Sequence, residues 1–438
     1  MTINKFKVVK IKDVGKVITG KTPPTSQPEL FGDKYPFITP SDISSFDVRY
    51  IDFVERGLSD KGFDKQKRYA LPKDTVCYVC IGSTIGKVCL TNKVSFTNQQ
   101  INSIVVNRDK FNPKYVYYLL RAETPKIQAI SGGTGAGKAI LNKSSFEDID
   151  LNVFPLPIQN KIAAILSAYD DLIENNTRRI KILEEMAQLL YREWFVKFRF
   201  PGHEKVRMVD SELGPIPEGW EVKNIGSLLA HTIGGGWGEV SRSDKYTVPA
   251  YVIRGTDIPN VRQGSIESCP LRYHTESNFR SRKLKAGDIV FEVSGGSKGQ
   301  PVGRALLINQ SLLNSYDNDV ICASFCKLIR PDKETMLPEL IYLHLLEIYA
   351  NGVIEKYQVQ STGITNFKYE FFLKNDQILV PDRKIQQNFA DHIIPIFDMI
   401  QKLGAMNRNL RRTRDLLLPK LISGELDVED LDIAVGGD

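Results

Sequence analysis

Residues 155–198 read PLPIQNKIAAILSAYDDLIENNTRRIKILEEMAQLLYREWFVKF, and this stretch decides the fold. Pro157 stands where a first-turn proline belongs. Beyond it Ile162, Ile165, Tyr169, Leu172, Asn176, Leu183, Met186 and Leu190 keep a three-then-four spacing with charged residues between them. That spacing is a coiled-coil seam running to about Lys197, roughly 60 Å of helix at about 1.5 Å per residue. So long a helix exceeds what one globular domain uses and implies a spacer. A second seam places Phe389, Ile396, Met399, Leu403, Met406, Leu410 and Leu417 on one face, with Pro395 expected to kink or delay it and Pro419 to end it. Neither helix can bury its apolar stripe alone, so the two are expected to pack antiparallel. Asn176 on the seam would need a polar partner and thereby fix the register.

Outward from the helices the sequence repeats itself. Phe6 to Ile11 is echoed by Trp220 to Ile225, Ile38 to Ile43 by Ile253 to Ile258, and Leu71 to Val76 by Leu284 to Ile289. Pro113 to Leu120 is then echoed by Pro338 to Leu345, and Ile158-Gln159 by Ile385-Gln386, in the same order. Each half reads as a strand-rich domain followed by a long helix. The fold class is therefore α+β, with strand-rich domains over 1–156 and 220–381, spacer helices over 157–200 and 382–424, a linker over 201–219 and an acidic tail over 425–438.

With 438 residues, 42% apolar and 9% aromatic, the chain can fill two or three cores and is not globally disordered. No apolar run approaches the roughly 18 to 20 residues of a membrane span, and Met1 to Lys10 alternates apolar and basic residues without a secretory pattern. A cytoplasmic location is expected, and the scattered cysteines at 77, 80, 89, 269, 322 and 326 form no disulfide framework. The net charge of +6 is concentrated: residues 1–156 carry +8, residues 157–383 are neutral, and residues 384–438 carry −2. A basic first domain is compatible with a polyanionic partner.

Catalytic equipment is hard to find. Gly132 to Lys138 nearly spells a phosphate-binding loop, but Ala139 stands where a Mg²⁺-ligating Ser/Thr belongs and the segment follows a predicted helix, Tyr115 to Ile130. Cys77 and Cys80 have zinc-knuckle spacing, yet they lie in a β-type run where residues i and i+3 face opposite sides, so they read as core thiols. No methyltransferase motif holds a flipped base, Glu221-Val222-Lys223 and Asp382-Arg383-Lys384 are too short as nuclease motifs to be more than chance, and the histidines fit no nucleophilic arrangement.

Four stretches carry a resemblance across nearly the whole chain: Leu156-Pro157-Ile158-Gln159, Tyr191-Arg192-Glu193-Trp194-Phe195-Val196-Lys197-Phe198, Gly214-Pro215-Ile216-Pro217-Glu218-Gly219-Trp220, and Leu417 to Leu426. In order and spacing the chain resembles the specificity subunits of type I restriction-modification systems. The resemblance implies two target recognition domains, each reading half of a bipartite, asymmetric double-stranded DNA sequence. It also implies antiparallel helices that dock two methyltransferase subunits and, through them, restriction motor-nuclease subunits. The chain itself would be non-catalytic and bind no cofactor or metal; S-adenosylmethionine, ATP and Mg²⁺ would enter through partners. Trp194-Phe195 and Leu416-Leu417-Leu418 are then expected to stand exposed without those partners.

Direct readout of base edges needs Arg/Lys, Asn/Gln and Ser/Thr on loops. In the first domain the candidates are Lys21, Thr22, Ser41, Asp42, Ser83, Thr84, Lys87, Asn98, Gln99, Gln100, Thr134 and Lys138. In the second they are Trp237, Arg254, Thr256, Ser294, Ser297, Lys298, Asn318, Gln360 and Thr362. The docking and spacer positions are Ile162, Ile165, Tyr169, Leu172, Asn176, Leu183, Leu190 and Trp194 on the first helix, and Phe389, Ile396, Leu403, Leu410 and Leu417 on the second. The competing reading is a coiled-coil adaptor that binds proteins only, against which the polar loops at matching places in both halves count.

Overall fold

The computed structural model describes residues 6–43, 49–51, 54–131, 140–295, 300–361 and 363–433. The chain forms two compact units, residues 1–172 with 410–438, and residues 173–409. Both are mixed helix and strand.

In the first unit the strands are β1 (Gly15–Thr19), β2 (Tyr35–Ile38), β3 (Val76–Val79), β4 (Val88–Thr91), β5 (Phe96–Thr97) and β6 (Ile101–Val106). Antiparallel pairing joins them in the order β1-β6-β3-β4, while β2 and β5 pair in parallel. Every residue of β3 and β4 is buried, as strands covered on both faces require. Cys77 packs with Ile38 and Ile101, and Cys80 packs on the other face with Tyr115 and Phe146. All six cysteines are buried free thiols, and burial pushes Cys80 and Cys322 up to about 12, far from a metal-binding thiolate. Helix α1 (Pro113–Ser131) closes one face; Asn112 caps it by accepting from the Lys114 and Tyr115 amides at 2.9 and 3.1 Å. Strand Lys7–Lys10 then pairs with Asp150–Val153 at the foot of α2 (Leu156–Tyr191).

The second unit repeats the plan. Its strands β7 (Leu229–Gly234), β8 (Val248–Ile253), β9 (Ile289–Glu292), β10 (Ala305–Leu307), β11 (Val320–Cys322) and β12 (Cys326–Pro331) take the order β7-β12-β9-β10, and β8 pairs in parallel with β11. Helix α3 (Pro338–Ala350) corresponds to α1, and strand Glu221–Asn224 pairs with Gln377–Val380 at the foot of α4 (Arg383–Ser423).

Single hydrogen bonds repeat as well. Gln159, buried in the first turn of α2, donates to the Phe154 and Lys110 carbonyls at 2.8 and 3.3 Å and accepts from the Asn112 amide at 3.0 Å. Gln386, buried in the first turn of α4, donates to the Pro381 and Thr335 carbonyls at 2.9 and 3.1 Å and accepts from the Leu337 amide at 3.0 Å.

Within each unit the long helices pack antiparallel. In the first, Ile162 and Leu166 share a core with Leu418, Leu421 and Ile422. There Asp170 accepts from Arg414 Nη1 at 2.6 Å and from the Tyr118 hydroxyl at 2.5 Å, with Arg414 wholly buried. In the second, Ile180 meets Ile400 and Leu403, and Asn176 Nδ2 donates to Asn407 Oδ1 at 2.9 Å, the polar partner expected of it.

Three expectations for the helices need correction. The seam runs through Ile162, Leu166, Asp170, Ile173, Asn176, Ile180, Ala187, Tyr191 and Trp194, so Leu172 and Met186 lie outside it, each about half exposed. Ile165, Tyr169, Leu183 and Leu190 are half-buried, as are Ile396, Leu410 and Leu417, while Phe389 and Leu403 are buried. The apolar count missed the true seam because a buried ion pair occupies part of it. Second, α4 passes through both Pro395 and Pro419 without interruption, because each ring lies on the exposed side of the helix, where the carbonyl a turn earlier need not be buried unpaired. Third, Trp194 and Phe195 are buried: Phe389 packs against them, tilted to the first and edge-on to the second, at centroid distances of 5.4 and 4.7 Å, and Trp220 packs tilted against Phe195 at 5.7 Å. Of the leucine trio Leu416 is exposed, Leu417 half-buried and Leu418 buried.

Arg414→Met strands the Asp170 carboxylate in the core and is expected to cost about 3–5 kcal/mol, whereas Arg414→Met with Asp170→Leu recovers most of the loss. Urea denaturation followed by circular dichroism measures both.

Candidate nucleic-acid interface

Strand direction gathers the loops of the first unit. Strands β1, β2, β3 and β5 end at Thr19, Ile38, Val79 and Thr97, and β4 and β6 begin at Val88 and Ile101, all at one end of the sheets. Lys21, Thr22, Ser41, Asp42, Ser83, Thr84, Lys87, Asn98, Gln99 and Gln100 all sit on these junctions. The Thr22 hydroxyl donates to Gln99 Oε1 at 2.8 Å, Lys87 Nζ to the Pro40 carbonyl at 3.0 Å, and Asn98 Nδ2 to Gln100 Oε1 at 3.1 Å. Lys21, Ser41, Ser83 and Gln99 are exposed. Asp42 is spent internally, accepting from the Thr39 amide at 2.7 Å and the Glu55 amide at 2.8 Å, so it shapes the turn.

The second unit builds the same end with the same backbone bonds. The Asn98 amide donates to the Ile38 carbonyl and the Ala323 amide to the Ile253 carbonyl; the Cys80 amide donates to Gln100 O and the Val293 amide to Phe325 O. Asp257 accepts from the Arg254 amide at 2.9 Å, as Asp42 does from Thr39. A glycine is required at the same point in each: a Cβ on Gly20 would stand 2.2 Å from the Thr97 carbonyl oxygen, and one on Gly235 2.1 Å from that of Ala323.

On this frame lies a cleft of about 460 Å³ lined by Trp237, Arg254, Gly255, Thr256, Glu292, Ser294, Gly295, Ala323, Ser324 and Phe325. Four residues proposed from sequence, Trp237, Arg254, Thr256 and Ser294, thus come together. Trp237 is held by the Arg272 guanidinium 4.6 Å over its ring, and Phe325 is 60% exposed. Below them Arg304 donates twice to the buried Glu292 carboxylate, at 2.5 and 2.8 Å. Arg254 donates to both oxygens of Asp257 and to the Ser268 carbonyl, and the Ser294 hydroxyl donates to Asn366 at 2.8 Å. The hairpin Gln358–Ser361 with Ile364–Phe367 joins Ser294-Gly295, which places Gln360 two strands from Gly295 and outside the cleft lining. Among the described residues no cluster of His, Cys, Asp and Glu is arranged to hold a metal ion, and no helix is long and apolar enough to cross a membrane.

The model of the type I restriction modification DNA specificity domain matches residues 3–185. The chain is 30% identical to the type I restriction enzyme MjaIX specificity subunit of Methanocaldococcus jannaschii over 97% of its own length and 94% of the relative's. It belongs to the type I restriction enzyme specificity subunits. A second relative in this family, the HindI specificity subunit of Haemophilus influenzae, is 34% identical over 42% of this chain and 39% of its own. The crystal structure of the S subunit from M. genitalium shares the fold at a TM-score of 0.56 and 14% identity, over 95% of this chain and 96% of that one.

Not every residue proposed from sequence lies with the others in this specificity subunit. Asn318 precedes β11 at the opposite end of the strand, beside Lys283 and Asn314, away from the cleft. The hydrogen bonds put Ala323, and not Asn318, at the place that Asn98 holds in the first unit. Ala323-Ser324-Phe325 therefore occupy the place of Asn98-Gln99-Gln100, and sequence reasoning missed them because two of the three are apolar and none is an amide. Thr134, Lys138, Ser297, Lys298 and Thr362 fall outside the described residues.

Gly235→Ala forces the β7 end off the Ala323 carbonyl and is expected to destabilise the second unit by about 1–3 kcal/mol, a loss visible as a lower Tm. Gly20→Ala should do the same in the first unit.

Proposed function

We propose that this specificity subunit reads an asymmetric bipartite DNA target, the loop end of each unit contacting one half. One observation carries the reading: the two loop ends share their backbone hydrogen bonds yet present different side chains. Thr39-Pro40-Ser41-Asp42 corresponds to Arg254-Gly255-Thr256-Asp257 in the repeat, and Asn98-Gln99-Gln100 corresponds to Ala323-Ser324-Phe325. A common frame with unlike reading groups fits two unlike half-sites, and the +8 charge of residues 1–156 favours a phosphate backbone.

Methyltransferase subunits, two to a complex, are the partners we assign to the outer faces of the long helices, with restriction subunits held through them. Leu172, Ile182, Met186 and Leu189 on α2, and Ile394, Met399, Met406 and Leu416 on α4, offer exposed apolar surface for such docking. Apart from Leu172, the docking positions read from spacing are buried or half-buried, so their role is to hold the helices. S-adenosylmethionine, ATP and Mg²⁺ then belong to the partners' chemistry, and this chain contributes the choice of sequence.

Deleting the gene is expected to erase one split, asymmetric N6-methyladenine motif from the host genome, read by methylation-sensitive sequencing; survival of every motif rejects the reading. Asn98→Ala with Gln99→Ala should relax base choice in one half of that motif only, by about 1–3 kcal/mol of discrimination.

A further inference from the structure

The mouth of the second unit's cleft differs from the matching place in the first unit in kind as well as in detail. Gln100 and Phe325 are held by the same bond, each carbonyl accepting from the strand beside it, from Cys80 N at 2.8 Å and Val293 N at 2.9 Å. One position carries an amide linked to Asn98, the other a phenyl ring that is 60% exposed. The ring belongs to no apolar core among the described residues and instead lines the cleft beside Trp237 and Ala323.

The polar side chains of the cleft narrow what it reads. Arg254 is clamped by Asp257 and Ser268, Glu292 by Arg304, and Ser294 by Asn366. The hydroxyls of Thr256 and Ser324 are exposed at the rim, and the remaining surface is Trp237, Phe325, Ala323 and two glycines. In the major groove the base feature that an apolar side chain distinguishes is the 5-methyl group of thymine; the others are donors and acceptors.

Resting on the recognition reading above, we infer that Phe325 selects a thymine in the second unit's half-site by contact with its 5-methyl group. The first unit, with amides at 98–100, reads its half-site by hydrogen bonds at the same place. The two units thus apply different chemistries from one backbone position.

The test uses the full complex with its methyltransferase subunits and duplexes carrying the target found by methylation sequencing. Each half-site is assigned to a unit by the Asn98→Ala, Gln99→Ala variant. Thymines in the second half-site are replaced singly by deoxyuridine, which removes only the methyl group, and affinity is read by fluorescence anisotropy. One replacement is expected to weaken wild-type binding about fourfold, the size of one buried methyl. With Phe325→Ala the same replacement has no further effect, while Phe325→Leu keeps part of it. Replacements in the first half-site should respond identically in wild type and both variants. Full affinity for every deoxyuridine duplex, or equal sensitivity in wild type and Phe325→Ala, overturns the assignment while leaving the recognition reading intact. A wild-type complex that binds the target no better than a scrambled duplex overturns both.

Discussion

Two glutamines hold the architecture together. Gln159 and Gln386 each sit buried in the first turn of a long helix, and each ties the last strand of a unit, the loop before the unit's own helix and the start of the long helix with one side chain. An amide is the side chain for this place, because it supplies a donor and an acceptor from a single uncharged group. Replacing it with an apolar residue would orphan three backbone groups in the core of the joint, each at a cost of about 1–3 kcal/mol. The helix direction relative to its own unit follows from that joint, and so does the face it turns inward.

Along the helices the two units then solve one packing problem differently. The first closes its seam with a buried charge pair, Asp170 with Arg414, to which Tyr118 adds a hydroxyl whose pKa is driven up by burial and by the neighbouring carboxylate. The second closes with apolar contacts among Ile180, Ile400 and Leu403 and a neutral amide pair, Asn176 with Asn407. A buried ion pair and an amide pair do not substitute for one another, so the two stretches of seam are distinct in chemistry although similar in shape.

Much of this was legible in the residues. The period of the long helices, the repeat and its order, the core cysteines and the polar partner for Asn176 all follow from local spacing, which backbone geometry converts directly into facing side chains. The seam register was not, because Asp170 and Arg414 look like surface residues until each is seen to neutralise the other. Pro395 looked like a kink and Pro419 like a helix end because a sequence does not say which proline rings lie on the exposed side. In the second unit four of the proposed contact residues converge on one cleft, since strand ends place loops regardless of what the loops contain. Phe325 stayed hidden for the converse reason: its equivalence to Gln100 exists only in the backbone hydrogen bonds and has no trace in the letters.

That separation has an evolutionary consequence. At the loop ends the shape is fixed by main-chain bonds, by Gly20 and Gly235, and by the turn-forming Asp42 and Asp257, while exposed neighbours such as Lys21, Thr256, Ser324 and Phe325 take little part in holding it. Drift at those neighbours is therefore nearly neutral for folding. On the recognition reading proposed above, a lineage carrying this chain has a store of new specificities one or two substitutions away, reachable without passing through an unfolded ancestor.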